Sequence, residues 1–375
     1  MFTSTMAKIT AFFISVILSL GTVFGVYKAP TTKNAAEYYD GDIKNVIFLI
    51  GDGMGYNHLE KTKKERKTSL IMDTFEIEGS SMTRSFNKKV TDSAAGGTAL
   101  SAGIRTANKA VGVYNLDKKA KCSYPKSITE LCKERGMLTG VVTTDETTGA
   151  TPSAFSAHSS DRYNEDDLTY DQFKSEINII WGHSNGFATE TMAEEYGYEY
   201  ISTYDEMMAL EEGSYSYAQF TTQMWSLENT APQTPTLQQM TMKAIDILDD
   251  TDEGFFLMVE GAHIDKHSHN NDSDKMTESL EAFDNTIEAV LEYAKEDGET
   301  LVVVTADHET GAITLKDGEY KFTSGDHSAA DVPVLVYGSD KLIAQGEKLN
   351  NYEIPIRIAY LLGFDETQFP VAVIV

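Results

Sequence analysis

Five short, uninterrupted apolar runs, at residues 45–50, 138–143, 254–259, 301–305 and 332–337, constrain this chain most. Each has strand length and lacks the in–out alternation of a half-exposed sheet, so each reads as a strand covered on both faces. Between two of them, over residues 274–295, Met276, Leu280, Phe283, Ile287, Val290 and Leu291 recur at helical spacing. Strand 254–259, this helix and strand 301–305 make a βαβ unit. Repetition of that pattern predicts an α/β fold: a doubly wound, mostly parallel central sheet with helices on both faces. Residues 161–253, acidic and rich in Tyr, offer no chemistry of their own and read as helices and connections completing the same domain.

Ligands of such sheets bind beyond the carboxyl ends of the strands. Polar residues gather there repeatedly. Asp52 follows the first run, residues 144–151 the second, Glu260 the third, and Asp307 with His308 the fourth. The densest stretch runs from Val259 to His269 and holds Glu260, His263, Asp265, His267 and His269. Asp265 and His269, four apart, share a face on a helical turn. His327 follows His308 after 18 residues. Carboxylates and imidazoles in this density are the donor set of a transition-metal site, and such sites commonly perform hydrolysis.

With 375 residues and 41% hydrophobic residues, the chain can bury a large core. Its net charge of −27, from 58 acids against 31 bases, argues against nucleic acid or an anionic membrane surface as a partner. At the N-terminus Lys8 precedes an apolar run over residues 9–26, and Val23-Phe24-Gly25 has the small-residue character of a cleavage site. Residues 1–25 therefore read as a signal peptide ahead of a single domain over 26–375, placing the protein in the periplasm or outside the cell. The alternative is an uncleaved anchor that tethers it to a membrane. Cys122 and Cys132 lie ten apart. Export permits a disulfide between them, but spacing alone does not decide it.

Three further motifs are weak singly. Gly51-Asp52-Gly53-Met54-Gly55 follows a strand, lacks the Lys-Ser/Thr ending of a phosphate loop, and suits a backbone folding away while Asp52 points at a cation. Residues 91–99, rich in Ala and Gly, read as a helix start that sets Ser93 among free backbone N–H groups. Pro152 suits a first helical turn after Thr151, and Arg162 offers a planar fork for phosphate oxygens. His58, His158 and His183 receive no role.

Together, segments 45–55, 90–103, 150–162, 255–269, 302–311 and 324–328 resemble the alkaline phosphatase family, in the family's order and across nearly the whole mature chain. The resemblance implies Ser93 as the nucleophile of a phosphoserine intermediate. It implies one Zn2+ on Asp265, His269 and His327, and a second on Asp52, Asp307 and His308. Asp52 would also bridge to a third site, usually Mg2+, completed by Thr151 and Glu260. Arg162 would clamp phosphate, oriented by Asp92, and Lys266 matches a position that some members use to reach phosphate through water. The implied activity is hydrolysis of small phosphate monoesters with broad specificity. A phosphodiesterase or sulfatase on the same core, and an exported metal- or phosphate-binding protein, are the rival readings.

The chain departs from the family's pattern in three places. Gly149 stands where many members carry Asp or His near the magnesium site, which leaves the third metal's identity open. His263 and His267 add imidazoles beside the ligands and are expected to face outward. The short interval between His308 and His327 leaves little room for the crown insertion of larger members, so the family's usual homodimer is less firmly implied.

Overall fold

A ten-stranded sheet runs, edge to edge, through Lys348–Asn350, Ile77–Met82, Val332–Tyr337, Thr300–Thr305, Asn45–Gly51, Phe255–Gly261, Leu138–Glu146, Ile179–His183, Ser216–Phe220 and Glu199–Ile201. Val332–Tyr337 is antiparallel to both neighbours, and every other adjacent pair is parallel. The computed structural model describes residues 34–114, 124–221, 224, 226–227, 231–249, 251–370 and 372–373. The N-terminal apolar run, the expected cut after Gly25 and Cys122 lie outside the described residues. Among the described residues no helix is long and apolar enough to cross a membrane.

The apolar runs are uninterrupted because each strand feeds two cores. Along Asn45–Gly51, Val46, Phe48 and Ile50 enter one hydrophobic cluster, whereas Ile47 and Leu49 enter the cluster on the opposite face. Full burial of such a side chain is worth about 1.5–3 kcal/mol, so neither face can exchange its residues for polar ones cheaply. The predicted helix spans Ser273–Asp297. It is capped by the Asp272 side chain on Lys275 N at 3.2 Å and closed by Gly298 at φ +76°. Its stripe from Met276 to Leu291 is buried against the second cluster.

Residues 161–253 are more than helices and connections. They contribute three strands, Ile179–His183, Glu199–Ile201 and Ser216–Phe220, which complete one side of the sheet. Polar residues at buried positions disguise them: Ser216 Oγ accepts from Trp181 Nε1 at 2.9 Å, and Gln219 is enclosed.

Candidate metal centre and nucleophile

Strand register builds one level rim from distant segments. Ile50 pairs with Glu260 on one side and Thr305 on the other, and Thr143 pairs with Glu260 in turn. Asp52 and Asp307, each two residues past its paired position, therefore leave the sheet at the same height. The turn after Ile50 depends on Gly53, which adopts φ +72°. A Cβ there would lie 2.9 Å from the Asp265 backbone, so only glycine lets the two ligand-bearing segments meet.

His263–His269 is a helix of about two turns directly after the Phe255–Gly261 strand, and it stacks Asp265 below His269. His327 arrives from the other side. The antiparallel pair Glu309–Thr310 with His327–Ser328 sets His327 opposite Thr310, two residues past His308. The insertion between those histidines is reduced to one small hairpin, Thr314–Lys316 with Glu319–Lys321.

Donor atoms converge as a result. The Nε2 atoms of His269 and His327 are 3.0 Å apart, and they lie 3.3 and 3.7 Å from the two Asp265 oxygens. His269 Nδ1 is 2.6 Å from Gly325 O, and His327 Nδ1 is 3.0 Å from Thr91 O. Each Nδ1 faces a carbonyl that can accept its proton, which turns both Nε2 atoms towards one another and the Asp265 carboxylate, where a cation could take the place of a proton. A second group of ligand atoms joins Asp52, Asp265 and His308. Here His308 Nε2 is 3.4 Å from Asp52 Oδ1 and 3.1 Å from Asp307 Oδ2. Asp307 Oδ1 is held by the N–H groups of Gly53 and His308. Asp52 Oδ1 and Asp307 Oδ2 are buried with no hydrogen-bond partner among the described residues.

The electrostatics tell the same story. Burial, then Asp307 and Asp265, hold the Asp52 carboxyl well above its ordinary range. Burial and Asp265 push Asp307 up to about 6, and burial and Asp145 push Glu260 up to about 8. Asp265 goes the other way. Burial alone would raise it, but the hydrogen bond from His269 and the charges of His308, His269 and His327 pull it well below the carboxylate range. Its hydrogen bond to His269 raises that imidazole to about 9. Carboxylates this crowded are costly unless positive charge is placed among them.

Ser93 opens the Ser93–Ala102 helix, which is buried throughout, with Asp92 as its cap on Ala95 N at 3.1 Å. Ser93 Oγ lies 3.1 Å from His308 Nε2, against the second donor group. The helix reaches this depth because Gly96 and Gly97 are bare. A Cβ on Gly96 would stand 3.0 Å from Asp307 O, and one on Gly97 3.2 Å from Thr151 Cα. Asp92 Oδ2 lies 3.7 Å from Arg162 Nη1 and also accepts from Lys109 N at 2.9 Å. Arg162 N in turn donates to Lys109 O at 2.9 Å.

The structure thus gathers Asp52, Ser93, Asp265, His269, Asp307, His308 and His327 into one cluster, with Asp92 and Arg162 at its side. Glu260 and Thr151 are buried next to it, Glu260 accepting from Thr143 Oγ1. Lys266 places its ammonium on Asp145. His263 departs from expectation: it faces inward, 98% buried, with Nδ1 3.1 Å from Thr144 Oγ1, because the short helix turns that side onto the strand end. Burial pushes its imidazole down to about 2. Three supporting residues were not anticipated. Asp145 holds Lys266, Lys109 holds Asp92, and His58 bridges Gly55 N at 3.1 Å and Ser268 Oγ at 3.0 Å, tying the Asp52 turn to the Asp265 helix.

Comparison with known proteins agrees with this geometry. A profile of the alkaline phosphatase family matches residues 43–179 and 184–324. The chain belongs to the alkaline phosphatase family. Alkaline phosphatase 4 of Bacillus subtilis is 32% identical over 321 residues, covering 80% of this chain and 68% of the relative. Alkaline phosphatase of Escherichia coli is 29% identical over 391 residues, covering 80% and 82%. The solved alkaline phosphatase of the Antarctic bacterium TAB5 superposes with a TM-score of 0.76 at 32% identity, covering 86% of this chain and 98% of that one. A variant of that enzyme, with Mg bound in its M3 site, gives 0.73 at 31% identity over 86% and 99%. The chain is accordingly a phosphatase that uses divalent metal, acting on phosphomonoesters.

Proposed function

We propose that this protein is an exported phosphomonoester hydrolase of broad specificity, working through a phosphoserine at Ser93. The observation that carries the reading is the facing pair of imidazole Nε2 atoms on Asp265, with Ser93 Oγ 3.1 Å from His308 in the adjoining donor group. Asp265, His269 and His327 would hold one Zn2+, Asp52, Asp307 and His308 a second, and Asp52, Thr151 and Glu260 a Mg2+. Bound there, such ions supply Lewis acidity and acidify water.

The chain's own residues do the rest. Ser93 presents its oxygen from a helix N-terminus, where unpaired N–H groups and the dipole favour phosphoryl oxygens. Asp92, fixed by Lys109 N, holds the Arg162 guanidinium beside that position, and its planar fork suits two oxygens of a dianionic ester. Ser93 Oγ gives up its proton and bonds to phosphorus as the P–O bond to the ester oxygen breaks, and that oxygen leaves as the alcohol after taking a proton from water. Water then cleaves the phosphoserine, freeing inorganic phosphate. Every proposed ligand comes from this one chain, so each subunit of a homodimer would carry its own set. We further infer one catalytic domain over residues 26–375 behind the export signal, whether cleaved or kept as a tether. Sizing and N-terminal sequencing of the secreted protein test the homodimer and the cut.

The direct test is hydrolysis of a chromogenic monoester and the matching diester at alkaline pH, with chelator and with zinc and magnesium restored. Strong monoester preference, abolished by chelator and recovered with metal, is expected. Diester preference would move the protein to a sister activity, and an inactive metal-loaded protein would leave a binding role.

A further inference from the structure

The third cation site raises a question of composition. Asp52 and Glu260 are buried carboxylates, and the buried Thr151 Oγ1 has no hydrogen-bond partner among the described residues. Gly149, beside this site at the start of the Ala150–Ser156 helix, brings no side chain. The space is nevertheless filled. A Cβ built on Gly149 would lie 2.7 Å from Asp145 Oδ2, 2.9 Å from Glu146 O and 3.0 Å from Asp145 Cγ, so the Asp145 carboxylate, with the Glu146 carbonyl beside it, occupies the volume a side chain at 149 would take.

Asp145 is held there from several sides. Its N–H donates to Thr143 Oγ1 at 2.8 Å, and the same hydroxyl donates to Glu260 Oε2. One threonine thus ties the Asp145 backbone to the Glu260 carboxylate. Asp145 Oδ1 accepts from Glu146 N at 2.7 Å and pairs with the Lys266 ammonium, which leaves Oδ2 on the Gly149 side. Lys266 is paired with Asp145 and also feels Glu260 and Glu146, so carboxylates outnumber the ammonium here, an excess of negative charge that a cation would offset. Because hard cations such as Mg2+ retain several waters, a carboxylate one layer out still acts on them.

We propose that Asp145 completes the third cation site with Asp52, Thr151 and Glu260, standing in for a side chain at residue 149, and that Gly149 is bare to admit it. The assignment rests on the metal reading above. It makes Asp145 a positioning residue for the ion's water shell and gives Lys266 the role of its partner rather than of a phosphate contact.

The experiment is calorimetric titration of MgCl2 into the zinc-loaded full mature protein, with zinc content measured in parallel. Asp145→Asn should weaken Mg2+ binding by about 10–100-fold, the usual effect of losing an outer-layer partner, and leave zinc content unchanged. Lys266→Met removes a nearby cation and should tighten Mg2+ binding. In that background Asp145→Asn should still weaken it at least about tenfold. Binding of Mg2+ to Asp145→Asn within twofold of the unaltered protein would overturn the proposal. So would loss of the Asp145 effect in the Lys266→Met background, since Asp145 would then act only as the lysine's counter-ion. If the unaltered zinc-loaded protein takes up no Mg2+, the third-site reading itself fails and this assignment with it, a result distinct from the variant outcomes.

Discussion

Two buried polar clusters occupy the same sheet, and they are built on opposite principles. Beyond Ile179–His183 and Ser216–Phe220, Thr147 Oγ1 accepts from Gln219 Nε2 at 2.8 Å and Asn185 Nδ2 at 3.3 Å and stands 2.9 Å from Tyr217 Oη, towards which its own hydroxyl proton can turn. Tyr217 also reaches Gln172 Oε1 at 2.7 Å, and Asn185 Nδ2 reaches Thr169 Oγ1 at 3.0 Å. This network carries no charge and donor meets acceptor at each of these contacts, so it is stable as it stands. A few strands away, the rim at Asp52, Asp265, Asp307 and His308 packs carboxylates and imidazoles with oxygen atoms left over. One cluster is finished by the chain. The other is left with donor atoms that cations could take up, and it is the one that holds Ser93.

That contrast can be broken most forcefully at the nucleophile. Ser93→Ala should lower kcat by on the order of 10³-fold or more while zinc content stays that of the parent, measured by steady-state kinetics and elemental analysis. Chelation comes next. Removing the metals should abolish turnover and lower Tm, and saturating metal restores about 4 kcal/mol at a thousandfold excess over Kd.

The stripped protein should also become pH-sensitive in a defined direction. Glu260, raised from its ordinary range to about 8, binds its proton more tightly in the folded chain, so folding is favoured at low pH and that contribution fades as pH climbs towards 8. His269, raised to about 9, adds stability below about 6.5 that is lost as pH rises through 9. Both slopes have the same sign. Burial holds His58, His263 and His308 neutral, which gives the opposite slope up to about pH 7 while histidines still titrate in the unfolded chain. The Tm of the chelated protein should therefore fall from about pH 7.5 to 9, with a flatter profile in the metal-loaded protein. A steeper fall with metal bound would contradict the charge argument.

Smaller effects sharpen the comparison. Arg162→Ala should reduce kcat/KM by about 10–100-fold, mainly through KM, since its fork binds and orients oxygens that the metals also hold. Thr147→Val in the neutral network should cost about 1–3 kcal/mol in denaturant unfolding by orphaning the donors that meet on its oxygen. It should leave metal content and kcat alone.

The sequence exposed the two clusters unequally. Strands Asn45–Gly51 and Phe255–Gly261 were legible because both faces are apolar, and the carboxylates that end them stand out against that background. Ile179–His183 and Ser216–Phe220 were not, since Ser216, Tyr217 and Gln219 face polar partners brought in from residues 147–185 and leave no clean apolar run. The proposed ligands drew notice by their types at the strand ends and in residues 259–269, and only the family resemblance assigned them to particular ions. Asp145, Lys109 and His58 were missed because their partners Lys266, Asp92 and Ser268 are not local neighbours in sequence, and lying in the strand-end segment 144–151 did not by itself single out Asp145. The inward turn of His263 depended on Thr144, another contact between distant segments.

The central claim is that Ser93 is the group the metal rim was assembled to serve. Acid quench of the metal-loaded protein during turnover of a phosphate monoester, followed by peptide mass spectrometry, tests it most directly. Phosphate on Ser93, absent after chelation and absent in Ser93→Ala, is the result predicted here. Full turnover with no phosphate ever trapped on Ser93, together with retained activity in Ser93→Ala, would contradict it.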